Sequence, residues 1–309
     1  MAVTRLYLDW NATAPVVPAA RAAALAALLM PGNASSVHAE GRASRALVER
    51  ARRAIAARFD VPADHVTFTS GGTEANMTAL SPGVGRKGEA GAERLIVSAV
   101  EHPAVRSGGR FAPKDVTVAP VDANGLIDLA ALQSLLERDA RPALVSVMAA
   151  NNETGALQPL ADMAALCAAH GAIFHTDAVQ AFGRVPDGAL TADLITLSGH
   201  KIGAPAGVGA LVRSAPLIVP PLVLGGGQER GARGGTENVA AIAGFGAALE
   251  GPAADPDAWA ATRAARDAFE VSLIDAFGEA VVFAKDVPRL PNTSLFAVGT
   301  LPAELLIIG

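Results

Sequence analysis

Short apolar runs of β-type residues alternate with helical stretches through most of this 309-residue chain. Seven runs have the length and composition of buried strands: residues 66–69, 95–98, 116–118, 144–147, 172–176, 193–197 and 209–212. Stretches with helical periodicity lie between them, for example residues 129–137 and 160–170. Apolar strands separated by helices predict an α/β fold with a mostly parallel central sheet flanked by helices.

The pattern changes after Gly235. From there the chain contains two helical stretches and two short β-type runs: residues 236–250, 259–277, 280–283 and 293–296. The proline-rich stretch 252–256 between the helices has the composition of a linker. We therefore expect a large domain with an N-terminal arm over residues 1–251, and the start of a smaller α/β domain, apparently truncated, over residues 252–309.

Charge and composition exclude several classes of partner. The chain has 25 basic and 30 acidic residues, a formal balance of −5, and no run of like charges, so we expect no nucleic acid partner. The apolar stretch 22–30 is too short to span a bilayer, so we expect no membrane partner. A single cysteine, Cys167, excludes an internal disulfide and favours a reducing, cytoplasmic location.

Two of the predicted strands end in an acid and an amine. Asp177 follows the run 172–176, and Ser198-Gly199-His200-Lys201 follows the run 193–197. A lysine can hold the aldehyde of pyridoxal 5'-phosphate as a Schiff base, and a carboxylate can keep the ring nitrogen protonated. Taken singly, Asp177 could cap the next helix and Lys201 could emerge into solvent. As a pair they favour pyridoxal phosphate as the cofactor.

A glycine-rich turn follows the first predicted strand. Ser70-Gly71-Gly72-Thr73-Glu74 opens a helix, where unpaired amides and the helix dipole favour an anion such as phosphate. Its alternative is an ordinary strand-to-helix turn. The segments Gly225–Arg230 and Arg233–Asn238 likewise read as a flexible basic loop that either binds an anion or is merely exposed.

Two further strand ends carry polar residues. Glu101-His102 follows one strand, and His102 could stack on a flat ring or cap a helix. Asn151-Asn152-Glu153-Thr154-Gly155 follows another and, alone, is a turn. All these segments come at the carboxyl ends of predicted strands, where open α/β sheets bind their ligands.

In this combination the chain resembles the class V branch of the fold-type-I pyridoxal-phosphate enzymes, and within it the cysteine desulfurases. The matching segments extend over essentially the whole chain: residues 7–15, 32–38, 69–74, 101–102, 151–155, 177–180, 198–201 and 225–238. The segments Ser198–Lys201 and Arg233–Thr236 favour the desulfurases over related lyases and aminotransferases.

The resemblance implies a role for each matched residue. In that family the residue that corresponds to Lys201 binds the cofactor and moves the proton of the substrate's α-carbon, so Lys201 would have both roles here. Asp177 would pair with the ring nitrogen, Gln180 would contact the phenolic oxygen, and His102 would stack on the ring. A second group would hold the phosphate or contact cofactor and substrate: Gly72, Thr73, Ser198, His200 and Asn152. Thr236 would reach a phosphate in the other subunit, which implies a homodimer.

The family's reaction takes sulfur from L-cysteine, gives L-alanine and an enzyme persulfide, and passes the sulfur to an acceptor protein of iron–sulfur cluster assembly or thiolation. In that family a nucleophilic cysteine and a carboxylate-binding arginine lie beyond the segment matched by residues 305–308, and neither has a counterpart here. Cys167 lies in the predicted helix 160–170, as a small core residue would. The expectation is a desulfurase that lacks its C-terminal part and turns over poorly.

Two alternatives stay open at this point. One is a class V lyase or aminotransferase that needs no thiol. The other is a degenerate, non-catalytic protein that binds the cofactor.

Overall fold

The computed structural model describes residues 6–251 and 256–300. Its helices are α1 (Pro18–Leu28), α2 (Ala39–Arg58), α3 (Gly72–Ala79), α4 (Pro103–Arg106), α5 (Leu129–Glu137), α6 (Leu160–Ala169), α7 (Val239–Ala248) and α8 (Ala260–Ala276). Its strands are β1 (Val66–Thr69), β2 (Gly85–Arg86), β3 (Arg94–Ser98), β4 (Val116–Ala119), β5 (Ala143–Ser146), β6 (Ile173–Asp177), β7 (Leu194–Ser198), β8 (Gly209–Arg213), β9 (Leu217–Ile218), β10 (Ala280–Val282) and β11 (Phe296–Val298). Most of the predicted linker and the segment 305–308 lie outside the described residues.

Seven strands form the central sheet in the order β1-β8-β7-β6-β5-β3-β4. Neighbouring strands from β7 through β6, β5 and β3 to β4 pair in parallel, whereas β8 is antiparallel to both β1 and β7. Strand β1 therefore runs in the same direction as β7. The predicted mostly parallel sheet is confirmed, and five strands that precede polar loops end at one edge.

Helices cover both faces of the sheet. Successive residues of a strand point to opposite faces, so Leu95 and Val97 of β3 pack with Ala75 and Ala79 of α3, whereas Ile96 joins the larger cluster on the other side. That larger cluster includes buried residues of α2, α6 and α7. The two apolar layers hold the sheet rigidly beneath the loops at its carboxyl edge.

The C-terminal part departs from the sequence prediction in its boundaries. Helix α7 begins at Val239, because the side chain of Asn238 caps it by accepting from the N–H of Ala241 at 3.1 Å. The last predicted strand, 293–296, is instead β11, which starts at Phe296 and pairs with β10. Residues 293–295 form a loop that lines the cleft described below.

The glycine-rich loop 225–238 is anchored, in contrast to the flexible basic loop expected from sequence. Glu229 is buried and accepts from two nitrogens of Arg52 at 2.7 and 2.8 Å, and from the N–H of Phe68 at 2.9 Å. Arg233 donates to Glu74 at 2.9 Å and to Ser70 at 2.8 Å. The buried ion pair with Arg52 therefore fixes this loop to α2. The hydrogen bonds of Phe68 and Arg233 fix it to β1 and to the start of α3.

In the described part of the chain, no helix is both long and apolar enough to cross a membrane. Helix α1 packs against α7 along one narrow face, where Ala20 and Ala27 are buried. Leu25 and Leu28 of α1 and the following Leu29 are exposed. An apolar surface of this kind on a folded domain commonly marks an interaction site.

Cys167 lies on α6 and is 1% exposed, packed in the larger apolar cluster. We expect it to remain unreactive toward dithionitrobenzoate in the native protein. Burial raises the pKa of its thiol to about 12, so almost none is in the reactive thiolate form at neutral pH. Thionitrobenzoate should be released only after unfolding in guanidinium chloride. Stoichiometric release from the folded protein would show that the thiol is accessible.

Candidate active site

A cleft with a volume of about 750 Å³ opens at the carboxyl edge of the sheet. The segments after β1, β3, β5, β6 and β7 line it, together with residues from the N-terminal segment 8–12 and the segment 292–295. Nine of the ten site residues predicted from sequence line this one cleft: Gly72, Thr73, His102, Asn152, Asp177, Gln180, Ser198, His200 and Lys201. Thr236 does not line it.

Asp177 is the last residue of β6 and is 6% exposed. Its Oδ2 accepts a hydrogen bond from Asn76 at 2.7 Å, and its Oδ1 accepts from the N–H of Val179 at 2.9 Å. Burial raises the pKa of this carboxyl, while the two hydrogen bonds and the nearby His102 and Lys201 oppose the rise. Asp177 therefore caps the next turn and also presents a buried acid to the cleft.

Lys201 follows β7 in a short 3-10 turn, Gly199–Ile202, beside the end of β6. Its Nζ donates to the main-chain carbonyl of Asn11 and to that of Ala12, the latter at 3.0 Å. Burial and the positive charge of Arg184 lower the pKa of the amine, against the opposing charges of Asp177 and Asp9. The side chain is half-buried in the cleft rather than extended into solvent.

The start of α3 and the end of β7 lie together at one side of the cleft. A Cβ added to Gly72 would lie 2.8 Å from Cγ2 of Val179 and 3.4 Å from Cβ of Ser198, so only glycine allows this close approach. Thr73 and His200 line the same cleft. Burial and the charge of Lys201 lower the pKa of His200. Helix amides and hydroxyl groups here form a suitable cradle for a phosphate.

His102 and Glu101 lie at the end of β3. The Nδ1 of His102 accepts from the N–H of Ala104 at 3.1 Å, which caps α4, and the ring also lines the cleft. Glu101 is buried, and its Oε1 accepts from Ser98 at 2.6 Å and from the N–H of Met148 at 2.8 Å. Burial raises the pKa of Glu101 to about 8, so it is largely protonated at neutral pH.

Gln180 and Arg184 lie four residues apart after β6, and Arg184 contacts the main chain of Lys201. Gln180 donates to the carbonyl of Asn11 at 2.9 Å. Arg184 donates to the side chain and the main-chain carbonyl of Gln180, the latter at 3.0 Å, and to the carbonyl of Lys201 at 3.2 Å. Burial lowers the pKa of Arg184 to about 10. Within residues 6–251 and 256–300 this guanidinium forms no ion pair.

The other two predicted residues have different surroundings. The side chain of Asn152 donates to Glu153 at 2.6 Å, and its main-chain carbonyl accepts from Asn11 at 3.0 Å. Thr236 is exposed on the anchored loop and lines a separate depression that also contains Ser70 and Arg233. Thr236 therefore does not line the cleft of its own chain.

Four residues that line the cleft or bond its lining were not predicted as site residues: Asn11, Asn76, Glu101 and Arg184. Glu101 lay in the matching segment 101–102. Asn11 lay in the matching segment 7–15, which was a signal, but its contacts to the distant residues Asn152 and Thr293 leave no local pattern. Asn76 and Arg184 lie inside stretches of ordinary helical or turn composition. Their importance follows only from the buried partners that the fold brings to them.

The residues present fit pyridoxal phosphate. A buried carboxyl, Asp177, lines the cleft with an amine of lowered pKa, and both are buried enough to favour a charged or covalent partner. Gly72 and Ser198 line the cleft together at the start of α3, where main-chain amides can bind an anion. Among the described residues no group of three or more His, Cys, Asp or Glu side chains could hold a metal ion.

Known proteins are similar to this chain in sequence. The class-V aminotransferase family model matches residues 6–304. A cysteine desulfurase of Gluconacetobacter diazotrophicus is 40% identical over 98% of this chain and 77% of its own length. One from Sinorhizobium fredii is 42% identical over 97% of this chain and 79% of its own length.

Solved structures agree with these relatives. The X-ray structure of a NifS-like protein from Rickettsia africae has a TM-score of 0.89 at 33% identity, and the match covers 99% of this chain and 84% of the other. This similarity confirms the predicted fold-type-I architecture. The cofactor of such enzymes is pyridoxal phosphate, as the sequence predicted. The chain therefore belongs to the class-V aminotransferase family, as one of its pyridoxal-phosphate-dependent cysteine desulfurases.

Proposed function

We propose that Lys201, Asp177 and His102 act on cofactor and substrate in this cleft. The cofactor would be held by Gly72, Thr73, Asn152, Gln180, Ser198 and His200, and by Thr236 of a second subunit. The observation that supports this assignment is that the amine of Lys201 and the buried carboxyl of Asp177 line one cleft from adjacent strand ends. An acid and an amine in this arrangement suit pyridoxal phosphate.

The chain's own groups have the properties that the reaction needs. Pyridoxal phosphate, when bound, supplies an electron sink that weakens the bonds at the substrate's α-carbon. The lowered pKa of Lys201 leaves more of its Nζ unprotonated at neutral pH, so it can accept the α-proton. Buried Asp177 is stabilised as a carboxylate by a cationic partner, and a protonated ring nitrogen provides one.

In the desulfurase reaction the C–S bond of L-cysteine breaks, the sulfur joins a thiol as a persulfide, and L-alanine leaves. Cys167 does not line the cleft, and its thiol is buried, so we propose that a different thiol accepts this sulfur. The outer sulfur of a persulfide can move to another thiolate, because thiolates attack S–S bonds. We propose that an acceptor protein takes it into iron–sulfur cluster assembly or thiolation. The chain's single cysteine is a free thiol, which supports a reducing, cytoplasmic location.

We propose that two copies of this chain form a homodimer. The exposed leucines on and after α1 and the position of Thr236 outside its own cleft support this assembly. We also propose that residues 1–251 form the cofactor-binding domain and that a smaller domain begins at residue 252. The separate apolar cluster of Leu273, Val282 and Val298 supports that division.

Borohydride reduction of the protein with pyridoxal phosphate should label Lys201, because its amine lines the cleft with a lowered pKa. Peptide mapping by mass spectrometry locates the label. Lys201→Ala should lose the label and the absorbance of the bound cofactor, whereas Lys114→Ala, which changes an exposed lysine, should keep both. A label on another lysine in well-folded protein would contradict the assignment.

Asp177→Asn should keep cofactor binding but slow exchange of the substrate's α-proton by about 100-fold, because a neutral amide cannot hold the ring nitrogen protonated. Exchange is measured by NMR in deuterated water. Asp128→Asn is the matched control, since Asp128 caps α5 by accepting from the N–H of Ala131. If Asp177→Asn exchanges the α-proton at the wild-type rate, Asp177 acts only as a cap, as Asp128 does.

The assignment of Thr236 to the other subunit predicts complementation. Chains carrying Lys201→Ala or Thr236→Ala should each bind the cofactor poorly when alone. A mixed dimer would have both defects in one site and none in the other, so tight binding should return at one of the two sites of each mixed dimer. Restoration is read by fluorescence titration. Absence of any recovery in a mixture shown to contain mixed dimers would place Thr236 in the site of its own chain.

A further inference from the structure

Two consecutive carbonyl groups of the N-terminal segment hold the amine of Lys201. Its Nζ donates to the carbonyl of Asn11 and, at 3.0 Å, to that of Ala12. The carbonyl of Asn11 also accepts from Gln180 at 2.9 Å. The position of the amine in the cleft therefore depends on where this main-chain segment lies.

The side chain of Asn11 fixes that segment with four hydrogen bonds. Its Nδ2 donates to the carbonyl of Asn152 at 3.0 Å and to Oγ1 of Thr293 at 2.9 Å. Its Oδ1 accepts from Arg184 at 3.2 Å and from Asn292 at 3.1 Å. An asparagine amide has two N–H donors and two acceptor positions, and all four are used here.

The pattern of partners also sets the orientation of the amide. Both partners of Nδ2 are acceptors, and both partners of Oδ1 are cationic or amide donors. A flipped amide would place its N–H groups against the donors Arg184 and Asn292. These partners belong to the loop after β5, the segment after β6 and the loop before β11, so Asn11 joins three distant parts of the fold to the carbonyl that holds Lys201.

The neutrality of Asn11 matters for the amine. The charged groups that act on Lys201 are Arg184, which lowers its pKa, and Asp177 and Asp9, which raise it. His200 faces the same site, and burial and the charge of Lys201 lower its pKa. An amide beside the amine adds no charge, whereas a carboxylate at this position would favour the protonated form of the amine.

We propose that Asn11 is a positioning residue for Lys201 and couples the segment 292–293 to the amine. The proposal rests on the role of Lys201 given under the proposed function. The side chain acts through its own main-chain carbonyl, since none of its four partners is the lysine amine. Placement of Asn292 and Thr293 is transmitted to the Nζ of Lys201 by this one residue.

The test is the rate at which the cofactor-free protein reacts with pyridoxal phosphate, followed by absorbance across pH. Asn11→Asp keeps the size of the side chain and can still accept from Arg184. Its negative charge should move the midpoint of the rate profile up by about one pH unit, because only unprotonated amine reacts. Asn124→Asp makes the same charge change in a turn that does not line the cleft, and should leave the midpoint unchanged.

The coupling is tested by a double-mutant cycle of Asn11→Ala with Thr293→Val. Each single variant should slow the reaction, Asn11→Ala by about tenfold, and the double variant should be little slower than Asn11→Ala alone. Thermal unfolding of each variant confirms that the protein is folded.

A wild-type midpoint in Asn11→Asp, or fully additive effects in the cycle, would overturn the proposal while leaving Lys201 as the labelled lysine. Failure of the proposed function is a distinct result, since borohydride would then leave Lys201 unlabelled in the wild-type protein.

Discussion

The common direction of β1, β3, β5, β6 and β7 is the constraint on which the site depends. Because these strands run the same way, the loops that follow them meet at one edge of the sheet, although they are far apart in sequence. The antiparallel strand β8 runs the other way and fits between β1 and β7 without adding such a loop. Apolar layers on both faces keep the edge rigid, so side chains placed there keep their mutual geometry.

Burial at this edge gives ordinary side chains unusual acid–base properties. Asp177 and Lys201 come from adjacent strands, and burial shifts the two pKa values toward the neutral forms. Arg184 reinforces the shift of the lysine while its own charge is held by carbonyl and amide oxygens. The cleft thus holds an amine ready to accept a proton and an acid ready to pair with a cation, the two properties that pyridoxal phosphate chemistry uses.

The sequence was sufficient to predict the sheet and the residues at its carboxyl edge, because an apolar run that ends in Asp177 or Lys201 is a local pattern. It was not sufficient for residues whose roles depend on distant partners. Asn11 bonds Thr293, 282 positions away, and Glu229 bonds Arg52, 177 positions away. The loop containing Glu229 looked flexible because glycines and charges dominate its composition, and only the buried ion pair shows that it is anchored.

A crystal structure of the protein grown with pyridoxal phosphate tests the central claim most directly. The account predicts continuous electron density between Nζ of Lys201 and the cofactor, with the carboxylate of Asp177 within hydrogen-bond distance of the ring nitrogen. It also predicts the phosphate beside Gly72 and Ser198. A cofactor joined to another lysine, or bound outside this cleft with Asp177 left without it, would contradict the account.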